Sequence, residues 1–358
     1  MNIMFFDATR EWSGGANRLF LFCRELITRG HRVVVCSLPG NEMSKRLARE
    51  SIPFHTMEPR SDVNLLVVPE IVRLIRTHKI DIIDIHSPKF YWIATLAGRL
   101  ARKPVIITRN VPFRKTGIKR RINHLLYGHL VDRVVAISER IKRELIEDYR
   151  ISDRDVEVIY DGLDTERFEM QRPSHSGSPL TVGVLSRLVF GKGLECFVEA
   201  LPKIIREIPD VRFVIAGSGP LEEGLRRRVK ELEIETGVTF TGFRNDIPQL
   251  LGEMDITVVP SPEEGMSMSA LESMASGVPV VATSGGGLVD IITNMENGVI
   301  VTPDNPEDLA NGVVALLRSD YQAVGMRAKT VVKEKFALNH VIDRYEALIT
   351  RLTGNQAG

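Results

Sequence analysis

The sequence predicts an α/β protein made of two doubly wound parallel-sheet domains. Short β-rich apolar runs alternate with helical patterns along all 358 residues. Runs such as Val33–Val35 and Val105–Ile107 lack polar alternation, which suits strands covered by helices on both faces of a parallel sheet. The pattern restarts after a segment rich in Pro, Gly and Ser, so we expect two domains of ordinary size.

The first half is predicted to supply one domain, over residues 1–168. Six apolar runs are predicted as its strands: Asn2–Phe6, Arg32–Ser37, Ile82–Ile85, Pro104–Thr108, Arg133–Ala136 and Glu157–Ile159. Apolar residues recur at helical spacing between some of these runs. They predict helices at Asn17–Arg29, Leu65–His78 and Phe90–Ala101.

The second domain is predicted over 180–335, after a linker at 169–179 that is non-periodic and rich in Pro, Gly and Ser. Its predicted strands are Leu180–Leu185, Arg212–Ala216, Val238–Phe240, Ile256–Val259, Pro279–Ala282 and Gly298–Val301. Its predicted helices are Gly193–Arg206, Leu221–Glu233, Ser267–Ala275 and Glu307–Leu317. A last helix, about Leu338 to Leu352 within 336–358, has no strand after it.

Composition favours a globular protein of a reducing compartment. Apolar residues make up 43% and charged residues 26% of the chain, and its three cysteines have neither zinc nor disulfide spacing. No apolar run approaches the length of about 18–20 residues that a membrane span needs, and the first residues read as a strand rather than a secretory signal. Residues 1–170 carry 29 Lys and Arg against 22 Asp and Glu, whereas 171–358 carry 18 against 24. This asymmetry predicts that the first half meets an acidic surface or ligand.

The stretch from Ser261 to Val281 carries the strongest functional signal. Glu264 and Glu272 are separated by seven residues, Gly265 permits a tight turn, and Ser267 can cap the helix that follows. A capped helix start leaves N–H groups that can hold a phosphate, while the two acids can accept hydrogen bonds from hydroxyls.

This stretch, which ends in Met-Ala-Ser-Gly-Val-Pro-Val-Val, resembles the donor-site signature of the retaining GT-B glycosyltransferases of family four, the glycosyl transferases group 1. The resemblance covers nearly the whole chain from Gly14 onward. It implies two Rossmann-like domains that face a cleft, with a nucleotide-sugar donor held mainly by the second domain. It also implies that the terminal helix crosses back onto the first domain.

The donor residues implied by the resemblance lie on five loops. Arg187 and Lys192 follow the first strand of the second domain. A guanidinium that can donate two parallel hydrogen bonds and a compact ammonium group together suit a diphosphate. Glu264 and the amides of Gly265, Met266 and Ser267 would hold the sugar, and Glu272 would bind the ribose hydroxyls. Gly217 and Arg244 would border the base and ribose, and Gly14 and Gly15 would approach the phosphates from the first domain.

Several positions of the first domain depart from the family pattern. His86 matches the second position of a His-x-His element that relatives often show, while Asp84 replaces the first. Asn110 stands where relatives often place a histidine that faces the donor sugar. His86 is a candidate catalytic residue, and either His86 or Asn110 would face the sugar. Asp161, which stands where relatives usually have asparagine, is interpreted as part of an interdomain turn.

A basic segment at 113–130 is the candidate acceptor or membrane surface. It contains Arg114, Lys115, Lys119, Arg120 and Arg121, followed by apolar residues at helical spacing. Three interpretations stay open: an anionic membrane surface, a phosphorylated acceptor, or a solvated basic face. Nucleic acid is not expected as a partner, because no aromatic residues are interleaved with these cations.

Together these observations predict a retaining, metal-independent transferase that acts on a cell-envelope glycan or glycolipid. No Asp-x-Asp motif stands on a suitable loop, and Arg187 with Lys192 can replace a metal cation, so no cofactor beyond the nucleotide-sugar co-substrate is expected. The predicted location is cytoplasmic, on the inner face of the membrane. The alternatives are a sugar-nucleotide epimerase of the same architecture and a non-catalytic nucleotide-sugar-binding protein. A phosphorylase would need a pyridoxal lysine, for which the sequence has no signal.

Overall fold

The computed structural model describes residues 1–59, 64–110, 118–169 and 179–354, with the side chains of 118–120 also left undescribed. The chain forms two compact units. Unit 1 is Met1–Gly162 with Asn339–Gly358, and unit 2 is Leu163–Leu338. The division at 162/163 precedes the predicted boundary at 168/169, and most of the predicted linker lies outside the described residues.

Unit 1 contains a seven-stranded sheet in which every pairing is parallel, in the order β3-β2-β1-β4-β5-β6-β7. Its strands are β1 Asn2–Phe6, β2 Arg32–Ser37, β3 Phe54–Thr56, β4 Ile82–Ile85, β5 Val105–Arg109, β6 Arg133–Ala136 and β7 Val156–Val158. The central strands are buried along their length, as expected for a sheet covered on both faces.

The helices of unit 1 connect these strands. They are α1 Gly14–Thr28, α2 Glu42–Arg49, α3 Val68–Thr77, α4 Pro88–Leu100, α5 Ile118–Leu125 and α6 Glu139–Glu147, with a π-helical turn at Leu126–Leu130. The strand order reverses at β1, so right-handed crossovers put α1 and α2 on one face of the sheet and α3 to α6 on the other.

The C-terminal helix α13, Leu338–Gly354, packs within unit 1. The hydroxyl of Tyr345 donates to Oδ2 of Asp84 at 2.9 Å, and both side chains are buried. Arg29 forms ion pairs with Asp343 and Glu346 of this helix. The helix therefore packs on the sheet and donates a hydrogen bond to the buried carboxylate of Asp84 on β4.

Unit 2 contains a six-stranded parallel sheet in the order β10-β9-β8-β11-β12-β13. Its strands are β8 Thr181–Leu185, β9 Arg212–Ala216, β10 Val238–Gly242, β11 Ile256–Val259, β12 Val280–Thr283 and β13 Val299–Val301. Its helices are α7 Leu194–Glu207, α8 Glu222–Glu231, α9 Ile247–Gly252, α10 Met268–Ala275, α11 Pro306–Leu317 and α12 Tyr321–Phe336. The order reverses between β8 and β11, which defines a switch point at the carboxyl edge of the sheet.

The predicted fold class is confirmed, since each unit is a doubly wound parallel sheet. Six predicted strands have the predicted bounds: β1, β2, β4, β6, β9 and β11. The sequence interpretation missed β3, which has only three residues, and the helices α2, α6, α9 and α12. Helix α1 begins at Gly14 rather than Asn17, because the Ser13 side chain caps it by accepting a hydrogen bond from the backbone N–H of Ala16.

Candidate functional site

A pocket of about 200 Å³ opens at the carboxyl edge of the unit 2 sheet, next to the switch point. Leu185, Ala216 and Ile247 give it an apolar floor, and Arg187 and Glu272 add charge at its wall. The ends of β8 and β9 meet here because Leu185 pairs with Ala216 in a parallel register. An apolar floor with a few polar groups is the usual character of a small-molecule site.

Gly217 allows two of these loops to approach each other closely. Its φ is +140°, and a Cβ at this position would lie 1.8 Å from the carbonyl oxygen of Ser186. No side chain fits such a gap, so the backbone after β9 can lie against the backbone after β8 only with glycine. Gly217 lines the pocket through its backbone, at the position that the sequence predicted for a donor-binding glycine.

Lys192 and Glu264 form an ion pair at the same edge of the sheet. Lys192 Nζ donates to Oε1 of Glu264 at 2.8 Å, and the two side chains are 22% and 23% exposed. Gly193 fixes the loop that carries the lysine, because its φ is +68° and a Cβ would lie 2.0 Å from the carbonyl oxygen of Pro260. Two residues predicted for different parts of the donor are therefore direct neighbours.

The segment Gly265–Ser267 is buried and leads into α10. The Ser267 side chain caps the helix by accepting a hydrogen bond from the backbone N–H of Ala270, and Met266 packs in the core. The carbonyl oxygen of Gly265 accepts a hydrogen bond from the N–H of Gly287 at 3.0 Å. The Ser267 hydroxyl thus has a structural partner, and any ligand contact from this segment would come mainly from backbone groups.

Glu272 lies one to two turns into α10 and lines the pocket. Burial raises the pKa of its carboxyl to about 7, although the positive charge of Arg167 acts in the opposite direction. At neutral pH this carboxyl is therefore part protonated and part ionised. A ligand whose hydroxyls donate to it would favour the ionised form.

Arg244 and Phe243 form the outer wall of the pocket. The Arg244 guanidinium is held by the Asp246 carboxylate, which accepts from Nε at 2.6 Å and from Nη2. The predicted donor residue Arg244 is therefore largely neutralised by its neighbour. Phe243 is 72% exposed at the pocket mouth, whereas the sequence analysis named only its neighbour Arg244 as a site residue.

In unit 1, Gly14 and Gly15 are the first two residues of α1. The side chain of Asn110, which follows β5, lies against Gly15, and a Cβ there would be 3.2 Å from the Asn110 amide nitrogen. The carboxyl ends of β1 and β5 thus bring together a helix N-terminus and an amide that the sequence analysis treated as separate motifs.

His86 belongs to a buried charged cluster that the sequence only partly revealed. His86 Nε2 lies 3.3 Å from Asp84 Oδ2, and both side chains are 1% exposed. Burial alone would raise the pKa of Asp84, but His86, Thr108 and Arg18 together hold it below its usual value. Arg18, which the sequence analysis missed, has its Nε 2.8 Å from Oδ1 of Asp161.

Asp161 completes this cluster rather than serving only as a turn residue. Its side chain is buried, and burial raises its pKa to about 6, against the lowering effects of Arg18 and His86. Arg18 and Asp161 are 143 positions apart in the sequence. Nothing in the local pattern around either residue predicts the pair.

The basic segment is described only in part. Arg114 and Lys115 lie outside the described residues, as do the side chains of Lys119 and Arg120. Arg121 is exposed on α5, and Ile122 and Leu125 on the same helix are also exposed. The described part therefore presents cationic and apolar side chains to the surface together.

Neither a metal cluster nor a membrane span is found within the described ranges. No group of three or more His, Cys, Asp or Glu residues there is placed to hold a metal ion. None of the helices in that part of the chain is long and apolar enough to cross a bilayer.

Two family models match the chain. The model of Glycosyltransferase Family 4 matches residues 12–167, and that of Glycosyl transferases group 1 matches residues 179–319. Together the two matches lie on both units and leave out only the chain termini and the segment 168–178. This agrees with the family indicated by the motif between Ser261 and Val281.

Individual proteins show the same relationship. An uncharacterised glycosyltransferase of Methanocaldococcus jannaschii is 33% identical over 224 residues, which is 58% of this chain and 57% of that protein. The UDP-Gal:alpha-D-GlcNAc-diphosphoundecaprenol alpha-1,3-galactosyltransferase of Escherichia coli is 27% identical over 264 residues, covering 68% of this chain and 67% of its own. The chain therefore matches between about half and two thirds of the length of these curated relatives. The structure of Anabaena HepE in complex with UDP has a TM-score of 0.88 at 22% identity, over 98% of this chain and 100% of that chain, which shows a shared fold.

The raised pKa of Glu272 predicts how the substitution Glu272→Gln alters stability with pH. The folded protein binds this proton more tightly than the unfolded chain, so the group lowers stability progressively as pH rises from about 4.5 to about 7. Glu272→Gln removes that loss, and we expect it to raise the free energy of unfolding by on the order of 1–3 kcal/mol at pH 8 and by little at pH 4. Denaturant unfolding at both pH values measures the difference. The exposed Glu253→Gln is the matched control, and an equal gain at pH 4 would contradict the assignment.

Proposed function

The chain belongs to the family-four glycosyltransferases, the glycosyl transferases group 1, and on this premise we propose that it transfers a sugar from a nucleotide-diphosphate sugar to an acceptor with retention of configuration. The observation that carries the proposal is the carboxyl edge of the unit 2 sheet. A pocket with an apolar floor and the Glu272 carboxyl lies there beside Arg187, and the Lys192–Glu264 pair follows strands of the same sheet.

The nucleoside is proposed to occupy the unit 2 pocket. The base would lie over the apolar floor near Phe243, and the ribose hydroxyls would donate to the ionised carboxylate of Glu272. Gly217 lines the pocket with its backbone, and Arg244 would border the base while its guanidinium stays paired with Asp246. UDP is the first nucleotide to test, because the E. coli relative is named for UDP-Gal and HepE was solved with UDP.

The diphosphate is proposed to be bound by Arg187 and Lys192, without a metal ion. As the bond between the anomeric carbon and the phosphate oxygen breaks, negative charge grows on the leaving diphosphate, and two fixed cations stabilise that charge. Glu264 is next to Lys192, so a carboxylate for the sugar hydroxyls stands beside the cation for the phosphate. The backbone of Gly265–Ser267, at the start of α10, would complete the sugar site.

The acceptor proton is proposed to pass to the leaving phosphate oxygen. The acceptor oxygen forms a bond to the anomeric carbon on the face that the diphosphate leaves, and its hydrogen moves to the departing oxygen. No separate carboxylate base is then required, and the configuration is retained. The proposal of retention rests on family membership and not on a measured separation between two carboxylates.

Unit 1 is proposed to contribute to the donor and to bind the acceptor. Gly14 and Gly15 at the start of α1 would approach the phosphates. His86 is the catalytic candidate that the sequence predicted in this unit, and its side chain is only 1% exposed beside Asp84. Asn110 is the alternative to His86 for the residue that faces the sugar, because its amide already lies against Gly15.

The acceptor is proposed to be a cell-envelope glycan or glycolipid, bound at the basic segment 113–130. The cations Arg114, Lys115, Lys119, Arg120 and Arg121 would meet its phosphate or the anionic inner face of the membrane. The exposed Ile122 and Leu125 on α5 support contact with lipid, as does the lipid-linked acceptor in the name of the E. coli relative. The protein would then act in the cytoplasm, as a peripheral protein of that membrane.

Removal of either proposed phosphate cation should abolish most activity. We expect Lys192→Ala and Arg187→Ala each to lower kcat/KM by about 10²-fold or more, because each would remove charge stabilisation that grows in the transition state. Release of the nucleoside diphosphate from the donor measures the rate. Lys203→Ala, which removes a cation from α7 of the same unit, is the control and should retain near-normal turnover. Near-normal turnover in Lys192→Ala or Arg187→Ala would refute the phosphate role.

Glu264→Gln should separate binding of the nucleotide from transfer. Without the Glu264 carboxylate, Lys192 keeps its full charge for the diphosphate, so calorimetry should show nucleoside diphosphate affinity equal to that of the parent or a fewfold tighter. Turnover should fall, because the sugar loses a hydrogen-bond acceptor. A parallel fall in nucleotide affinity would instead indicate that Glu264 only positions the lysine.

A nucleotide screen tests the proposal as a whole. Thermal shift and calorimetry against UDP, GDP, ADP and their common sugars should show saturable binding of one nucleotide class, with the same affinity in EDTA. Loss of binding in EDTA would contradict metal independence, and no binding to any nucleotide would contradict the transferase proposal. An epimerase would convert the bound donor without an acceptor.

A further inference from the structure

The helices α3, α4 and α5 of unit 1 share one face of the sheet. Most of the exposed large apolar side chains of unit 1 lie on this face. Unit 1 has seven exposed large apolar side chains within its described residues. Six of them lie on this face or on the short 3₁₀ helix that leads into α3: Leu65, Leu66, Leu96, Leu100, Ile122 and Leu125. We call the part formed by 65–77 and 88–100 the α3–α4 face.

Helix α4 has large apolar side chains on its outer side as well as on its inner side. Its inner side, which includes Phe90, Ile93 and Ala97, is fully buried against the sheet. Its outer side continues with Leu96 and Leu100, which are 40% and 59% exposed and stand one turn apart. Arg99 is exposed on the same side, so the outer side of α4 presents two leucines and a cation that nothing in the described part of the chain covers.

A groove of about 540 Å³ runs between α3 and α4. Val72 and Leu100 give it apolar walls, and Arg73 and Arg76 stand at its border on α3. Both arginines are exposed, and neither forms an ion pair with another described residue. The groove thus combines hydrocarbon surface with two cations that have no protein counter-ion in that part of the chain.

The charge of the three helices is strongly one-sided. Glu70 is the one acidic residue in α3, α4 and α5. The cations of the same helices are Arg73, Arg76, Lys89, Arg99, Lys119, Arg120 and Arg121. A ligand that matches this face must therefore supply both negative charge and hydrocarbon, and an anionic lipid surface supplies the two together.

We propose that the α3–α4 face docks on an anionic lipid bilayer, with lipid hydrocarbon at Leu96, Leu100 and the groove, and lipid phosphates at Arg73 and Arg76. The inference rests on the proposed membrane association of unit 1 and extends that surface beyond α5. The α3–α4 face is continuous with the surface of α5. Helix α3 packs on α4, and Arg99 Nε of α4 donates a hydrogen bond at 2.8 Å to the carbonyl oxygen of Leu130, which lies just after α5.

Vesicle sedimentation of the full chain tests this proposal. Vesicles of phosphatidylglycerol and phosphatidylcholine are compared with vesicles of phosphatidylcholine alone at low salt. The double variants Leu96→Asn/Leu100→Asn and Arg73→Gln/Arg76→Gln should each lower affinity for the anionic vesicles about tenfold or more. The control is Ile27→Asn/Arg49→Gln, which makes the same kinds of change on the opposite face of the sheet and should stay within about twofold of the parent.

Four results would overturn the proposal. The first is no vesicle binding by the parent chain. The second is unchanged binding in both double variants, and the third is loss of binding only on Arg121→Gln/Ile122→Asn, which would confine the surface to α5. The fourth is a dimer mass for the parent chain and a monomer mass for the double variants by sedimentation equilibrium, which would assign the face to a second copy of the chain. The arginine variant keeps the test valid if the leucine variant unfolds.

Nucleotide calorimetry on the same samples separates this proposal from the proposed transfer reaction. None of the substituted residues lies in the unit 2 pocket, so nucleotide affinity should not change in any variant. A parent chain that binds a nucleotide but no vesicles contradicts the docking surface alone. A parent chain that binds vesicles but no nucleotide contradicts the transferase alone.

Discussion

Parallel pairing of β8 with β9 and β11 puts the carboxyl ends of these strands at one edge of the unit 2 sheet. Each loop that leaves this edge carries a group of the candidate site: Arg187 after β8, Gly217 after β9 and Glu264 after β11. The positions of these groups depend on the strand register, because a shift of one residue would turn each strand's side chains to the other face. The loops after β8 and β9 approach each other so closely at Gly217 that no side chain would fit between them.

The two glutamates of the site differ because their surroundings differ. Glu264 lies beside the Lys192 ammonium, and each side chain neutralises the other until a ligand competes for one of them. Glu272 lies in the pocket wall, where burial raises its pKa to about 7. Glu264 is therefore paired with a cation, whereas the Glu272 carboxyl is part protonated at neutral pH, and a ligand with donor hydroxyls would favour its ionised form.

Unit 1 contains a cluster of charged side chains that is buried in the fold and does not line a pocket. Asp84 accepts hydrogen bonds from Thr108 and Tyr345, and Arg18 lies beside Asp161. Arg18 lies in α1, the helix that begins with Gly14 and Gly15. Buried polar groups that are paired in this way hold the backbone around them firmly.

The sequence by itself determined the fold class, the place of every strand except β3 to within two residues, and four of the residues that line the unit 2 pocket: Arg187, Gly217, Arg244 and Glu272. Buried parallel strands need continuous β-branched runs, and tight loops need glycine, so both requirements are written locally. The tertiary structure alone decided the pairs. Lys192 and Glu264 stand 72 positions apart, and Arg18 and Asp161 are separated by more, so no local pattern could join them. It also decided that Asp246 engages Arg244, that Phe243 stays exposed, and that Glu272 has a raised pKa. Burial and charge pairing depend on which distant segments meet, and that is fixed only when the sheets form.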